Sequence, residues 1–260
     1  MKTSSERILN YEVSGSGPVV VLLHGYLSSL RYWDPLKTAL EDNYTIATID
    51  LLGFGNSPKP RASAYGYKEQ IDWIERTLEH ANLSGAHKVV VGHSMGSLIA
   101  LRYASEHPEA VNRLILMNLP LFKNAHEARR ELAGTNLFFR ASLYWELHRL
   151  ICPIMRTSPM KLLMRQVSPL EYKGMETYMF SSTGEARSRS LRNIIESQQG
   201  ITDLALVTMP TTIVVGTRER HAYQENIKQA AADLPKLKVI LAETGHHTLL
   251  EKPDIASGLF

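Results

Sequence analysis

The sequence predicts a doubly wound α/β protein: a mostly parallel sheet with helices on both faces, and one helical insertion between two strands. Three observations predict it. Short β-branched runs alternate with longer helical patterns, the pattern of βαβ units. The runs are almost continuously apolar, as strands covered on both faces of a parallel sheet must be. Between Pro120 and about Ala205 the alternation stops, and no strand-like run interrupts helix-favouring sequence.

Taken in order, residues 8–13 alternate more than the later runs and end in Ser14-Gly15-Ser16-Gly17-Pro18, a turn cluster. That stretch is expected at an antiparallel edge. Residues 19–23, 44–49, 88–91 and 113–117 follow as strands, and 211–215 and 237–241 complete the set. Helical patterns over 68–81, 97–106 and 222–232 supply the crossovers. The core domain is therefore expected over 1–119 and 206–260, with the insertion over 120–205. The insertion holds 12 of the 29 basic residues against 8 acidic ones, and five of the nine methionines. A closing helix from Pro253 could reach only Phe260. Two turns at most are marginal unless docked, and a natural tail beyond is an open expectation.

Composition narrows the function. With 44% hydrophobic and 21% charged residues over 260, the chain is ordinarily globular. A net charge of +3 is too weak for nucleic-acid binding as a main role, which needs a concentrated basic face. Cys152 is the one cysteine, so no internal disulfide and no cysteine-built zinc site can form. The longest apolar runs are strand length, far short of a membrane span, and no stable membrane insertion is expected. The first residues carry no apolar export segment, and a cytoplasmic location is expected.

The strongest chemical signal is Gly92-His93-Ser94-Met95-Gly96, placed after a predicted strand and before a predicted helix. A turn this tight strains the serine backbone, and glycines two residues to either side remove the Cβ atoms that would crowd it. Ser94 is thereby lifted above the carboxyl end of the sheet, at a helix N-terminus that favours developing negative charge. A serine hydroxyl needs a base. Gly245-His246-His247 follows the last strand, where a loop can hang His246 over the elbow to take and return the Ser94 proton.

These residues resemble the α/β-hydrolase superfamily, in its compact serine esterase and carbon–carbon-bond hydrolase branch. The resemblance also rests on His24-Gly25-Tyr26 with Trp33 downstream, on Asp50-Leu51-Leu52-Gly53-Phe54-Gly55-Asn56-Ser57, and on the spacing of Glu251 and Pro253 after Gly245-His246. It implies that His246, directly after the glycine, is the base rather than His247. It implies an oxyanion hole of two backbone N–H donors, from Tyr26 and Met95, and a structural role for His24 in holding the oxyanion loop. It also implies that the Asp50 stretch is turn architecture and that 120–205 forms a helical cap over the nucleophile. Phe138, Phe139, Tyr144, Trp145, Tyr178 and Phe180, with the methionines, offer that cap apolar material.

One position departs from the family. After the strand at 211–215 the usual Gly-x-x-Asp reads Gly216-Thr217-Arg218-Glu219. Glutamate can orient the histidine and stabilise its imidazolium with one more methylene of reach. Arg218 and Arg220 could instead pair with Glu219 and hold it away. The alternative acid position, after the strand ending near Met117, is filled by Asn118, which carries no charge. Glu219 is therefore the expected acid. His93 is expected to pack or hydrogen-bond, and Cys152 to be a small core residue.

The expected activity is cofactor-free cleavage of a small-molecule carboxylic ester with a mainly apolar acyl part, through an acyl-enzyme. A carbon–carbon-bond hydrolase of vinylogous diketones would use the same triad. A non-catalytic small-ligand receptor could use the same fold.

Overall fold

The computed structural model describes residues 8–85, 87–134 and 181–260, with positions 157 and 159. The expected α/β architecture is present as a seven-stranded sheet in the order β1-β3-β2-β4-β5-β6-β7. Its strands are β1 (Tyr11–Ser14), β2 (Val19–Leu23), β3 (Thr45–Ile49), β4 (Lys88–His93), β5 (Val111–Met117), β6 (Thr211–Gly216) and β7 (Leu237–Ala242). β1 pairs antiparallel with β3, as its alternation predicts, and every other pairing is parallel.

The apolar run of β2, inside the sheet, is explained by burial on both faces, whereas edge strand β7 leaves Leu241 exposed. In β2, Val19, Val21 and Leu23 enter one core, where Ile71 and Ile74 of α2 (Tyr67–His80) and Leu98 and Ile99 of α3 (Met95–Glu106) meet them. Val20 and Leu22 point the other way, into a smaller core with Leu36 and Leu40 of α1 (Asp34–Leu40). The period of two along a strand makes this division automatic.

Two differences from the sequence expectation bear on the site. A short helical turn (Leu30–Trp33) and α1 fill the β2–β3 connection, where no helix was expected; Pro35 in the first turn of α1 needs no hydrogen-bond donor there. Helix α3 starts at Met95, two residues early, so Ser94 alone separates strand from helix.

Among its described residues the 120–205 stretch contains helices and no strand: α4 (Ala125–Ala133), α5 (Gly184–Ser190), a π-helical continuation (Leu191–Glu196) and α6 (Gly200–Leu206). Leu132, Ala186, Ile194 and Leu204 all belong to the larger core. Both described arms are thus fused to the sheet layer. Arg102 of α3 holds Asp203 of α6 at 3.0 Å, which fastens the second arm. Phe138, Phe139, Tyr144, Trp145, Cys152, Tyr178, Phe180 and the insertion's methionines lie outside the described residues.

Asp50, just past β3, organises the turns beneath the sheet's carboxyl end. Its buried carboxylate accepts from the Leu30 N–H at 2.7 Å, the Asn56 N–H at 2.7 Å and the Asn10 amide at 2.8 Å. Gly55, at φ 48°, lies so close that a Cβ there would overlap that carboxylate. A buried backbone donor that loses its acceptor costs about 1–3 kcal/mol. Asp50→Ala is therefore expected to lower stability by about 2–4 kcal/mol, read as a lower urea midpoint. An unchanged midpoint would contradict this role.

Candidate active site

Strand β4 runs through the middle of the sheet, between β2 and β5, and delivers Ser94 at its carboxyl end. The Ser94 backbone sits at φ 51° and ψ −119°, a region that side-chain-bearing residues rarely occupy. Its neighbours show why that conformation holds. A Cβ on Gly92 would collide with the Gly96 carbonyl, and one on Gly96 with the carbonyls of Leu23 and His24. The Ser94 N–H donates to the Met117 carbonyl at 2.9 Å, and the Ser94 carbonyl accepts from the Ser97 N–H at 2.9 Å. The strain is held by backbone packing on both sides.

His246 arrives from the opposite direction, on the loop after β7. His246 Nε2 lies 2.9 Å from Ser94 Oγ, and His246 Nδ1 lies 2.8 Å from Glu219 Oε2. A carboxylate only accepts, so Nδ1 carries the proton toward Glu219 and Nε2 is left to accept from the Ser94 hydroxyl. The structure thus brings together the three side chains that the sequence singles out.

Glu219 gets there through a turn after β6 that is stitched to the end of β7. Thr217 N–H donates to the Ala242 carbonyl at 2.7 Å, and Arg218 N–H to the Thr244 carbonyl at 3.0 Å. A Cβ on Gly216 would strike the carbonyls of Thr244 and Gly245, so only glycine lets the turn after β6 and the His246 loop touch main chain to main chain. The Glu219 side chain is 6% exposed. Of its flanking arginines, Arg218 pairs with Glu251, and Arg220 donates to the Glu131 carbonyl at 3.0 Å.

The His24-Gly25-Tyr26 turn lies directly against the elbow: a Cβ on Gly25 would stand 3.1 Å from Ser94 Cβ. His24 holds it, as expected. Its Nε2 accepts from the Leu51 N–H at 3.0 Å, which leaves Nδ1 to donate to the Gly25 carbonyl at 2.7 Å. The Tyr26 ring packs edge-on against Phe54, and its hydroxyl donates to the Arg187 carbonyl at 3.2 Å. Met95 is the first residue of α3, so its N–H is among the donors that have no acceptor within the helix.

Two residues named in the sequence make contacts at the site that the sequence reading did not foresee. Asn118, weighed there only as a possible acid, sits at φ 51° and donates from Nδ2 to the Gly245 carbonyl at 3.2 Å. Glu251 accepts from the Gly245 N–H, with both oxygens at 3.0 Å. Asparagine's tolerance of left-handed backbone is the one local signal that could have flagged Asn118. Among the described residues no three His, Cys, Asp or Glu side chains gather as metal ligands, and no helix is long and apolar enough to cross a membrane.

Comparison with known proteins agrees with this fold. A family model for the alpha/beta hydrolase fold matches residues 18–253. The probable lysophospholipase BODYGUARD 4 of Arabidopsis thaliana is 37% identical over 166 residues, covering 58% of this chain and 38% of the relative. The chain therefore spans under two fifths of that relative's length. The uncharacterized hydrolase YugF of Bacillus subtilis is 28% identical over 246 residues, covering 92% of this chain and 86% of the relative. Among solved structures, MenH from S. aureus matches with a TM-score of 0.75 at 21% identity, over 95% of both chains. A thermophilic esterase from Thermogutta terrifontis matches with 0.75 at 20% identity, over 96% of this chain and 90% of that one. At such identities the structural likeness is one of fold.

Three histidines around the site are held neutral, His24 and His93 buried and His247 half-buried. Burial pushes His24 below its ordinary value and His93 well below it. Burial, with the nearby His246 adding to it, pushes His247 down to about 3. The unfolded chain takes up these protons near pH 6.5, whereas the folded chain refuses them. Their contribution is therefore fully present above about pH 6.5 and is lost as pH falls below it, at up to about 1.4 kcal/mol per pH unit for each histidine. Urea midpoints at pH 7.5 and pH 5 are expected to show a clear fall at the lower pH. A midpoint that holds or rises would contradict the burial of these rings as neutral groups.

Proposed function

The chain belongs to the α/β-hydrolase family, and we propose that within it the protein is a serine hydrolase cleaving carboxylic esters with a mainly apolar acyl part. The observation that carries the reading is the unbroken run from Glu219 through His246 to Ser94, at 2.8 and 2.9 Å. Ser94 Oγ attacks the ester carbonyl carbon while its proton passes to His246 Nε2. The backbone N–H groups of Tyr26 and Met95 receive the oxyanion; as rigid main-chain donors they need no reorganisation when charge develops. Glu219 keeps the His246 tautomer in place and stabilises the imidazolium.

His246 then gives the proton to the departing alcohol oxygen, which leaves the acyl group esterified to Ser94. Water attacks that ester, its proton goes to His246, and the carboxylic acid leaves as Ser94 regains its hydrogen. A relative named a probable lysophospholipase supports an ester as the bond cleaved. In this reading residues 120–205 form a helical cap, and their apolar side chains receive the acyl chain.

The test is steady-state hydrolysis of p-nitrophenyl esters, from acetate to octanoate and including bulky charged acids, with two variants alongside. Ser94→Ala is expected to abolish turnover. Glu219→Ala is expected to lower kcat by about 10³–10⁴-fold, because the imidazole loses its orienting partner. Strict preference for bulky charged acids would overturn the apolar pocket, and a Glu219→Ala enzyme as fast as wild type would remove Glu219 from the triad.

A further inference from the structure

At the centre of the site lies a second histidine, His93, which the proposed chemistry does not use. Its ring is buried and touches three separate pieces of chain. On one side Nε2 lies 2.8 Å from the carbonyl oxygen of His246. A carbonyl only accepts, so His93 Nε2–H is the donor and the lone pair sits on Nδ1. That nitrogen faces the oxyanion turn, where a Cβ on Gly25 would stand 2.8 Å away. It has no hydrogen-bond partner among the described residues. The flat of the ring stacks on Tyr32, with centroids 4.3 Å apart and planes 19° apart.

Two bonds therefore run between the same two segments. Ser94 Oγ meets His246 Nε2, and the preceding residue's side chain meets the His246 carbonyl. The second bond closes a ring that fixes the His246 main chain relative to the elbow, whether or not Ser94 is engaged. Gly245 is gripped as well, by Glu251 at its N–H and by Asn118 at its carbonyl. Of these contacts, only the one from His93 comes from the nucleophile's own strand.

Resting on the roles proposed for Ser94 and His246, we infer that His93 is the positioning residue of the base, tying the His246 main chain to the elbow through Nε2–H. A lysine or arginine donor here would set a permanent positive charge beside the imidazolium that His246 becomes. Burial keeps His93 uncharged, so the bond is made without that repulsion.

The test compares His93→Met with His93→Gln in the full chain. The two side chains share length and shape, and only glutamine retains an N–H near the position of Nε2. Labelling by a fluorophosphonate probe reads the activated serine, and ring nitrogen NMR of His246 reads the base without requiring turnover. His93→Met is expected to label about 100-fold more slowly, the scale of loss for a displacement of about 1 Å. It is also expected to shift or broaden the His246 Nδ1–H signal, at unchanged near-ultraviolet circular dichroism. Glutamine is expected to keep the signal and most of the labelling rate. Equal behaviour of the two variants, whether both intact or both impaired, would overturn the inference. A wild type that does not label would sink the hydrolase reading instead. The ring signal would still decide the role of His93: moved by methionine and kept by glutamine supports it, and unmoved by methionine overturns it.

Discussion

The site depends on one backbone constraint: Ser94 is held at φ 51° between a strand and a helix with no loop to relax it. Such a conformation costs of order 1–3 kcal/mol and persists only where the surroundings over-determine it. Here they do so by close approach. Gly92 lies against the first turn of α3, and Gly96 lies against the carbonyls at the end of β2. Any larger residue at either point would push the helix off the sheet. Burial of β4 between β2 and β5, in the middle of the sheet, anchors the strand that feeds the turn.

The same device recurs at the base. Gly216 allows the turn after β6 to press on the loop after β7, with carbonyls where a side chain would otherwise stand. Glu219 and His246 come within hydrogen-bonding distance because their backbones already touch. Charge is arranged to match. Arg218 is drawn off by Glu251, which also holds Gly245, so one ion pair both steadies the base loop and leaves the acid to the imidazole. The surrounding histidines His24, His93 and His247 stay neutral, and the Glu219 carboxylate meets the His246 ring at 2.8 Å.

Much of this was legible in the sequence because short motifs carry it. Gly92 answers a steric demand within a few residues, and Gly96 and Gly216 stand at fixed offsets in their motifs although the carbonyls they admit lie far along the chain. The apolar run at 19–23 declares a strand covered on both faces. Glu219 was legible as a position, one strand before His246. Whether Arg218 would take it away was not, since the partner that decides is Glu251, 33 residues further on. Asn118 and the carboxylate of Glu251 act on main-chain atoms of a distant loop, and residue type alone does not announce such contacts. Helix α1 was missed because its seven residues, about two turns, are too short a window for a helical repeat to stand out.

The proposed chemistry requires that Ser94 become acylated. Intact mass spectrometry of protein quenched in acid seconds after mixing with p-nitrophenyl butyrate, with peptide mapping of the product, reads that step. A mass gain of one butyryl group is expected, carried on the peptide containing Ser94, decaying as hydrolysis proceeds and absent from Ser94→Ala. Ester turnover with the acyl group on another residue, or label retained by Ser94→Ala, would contradict it.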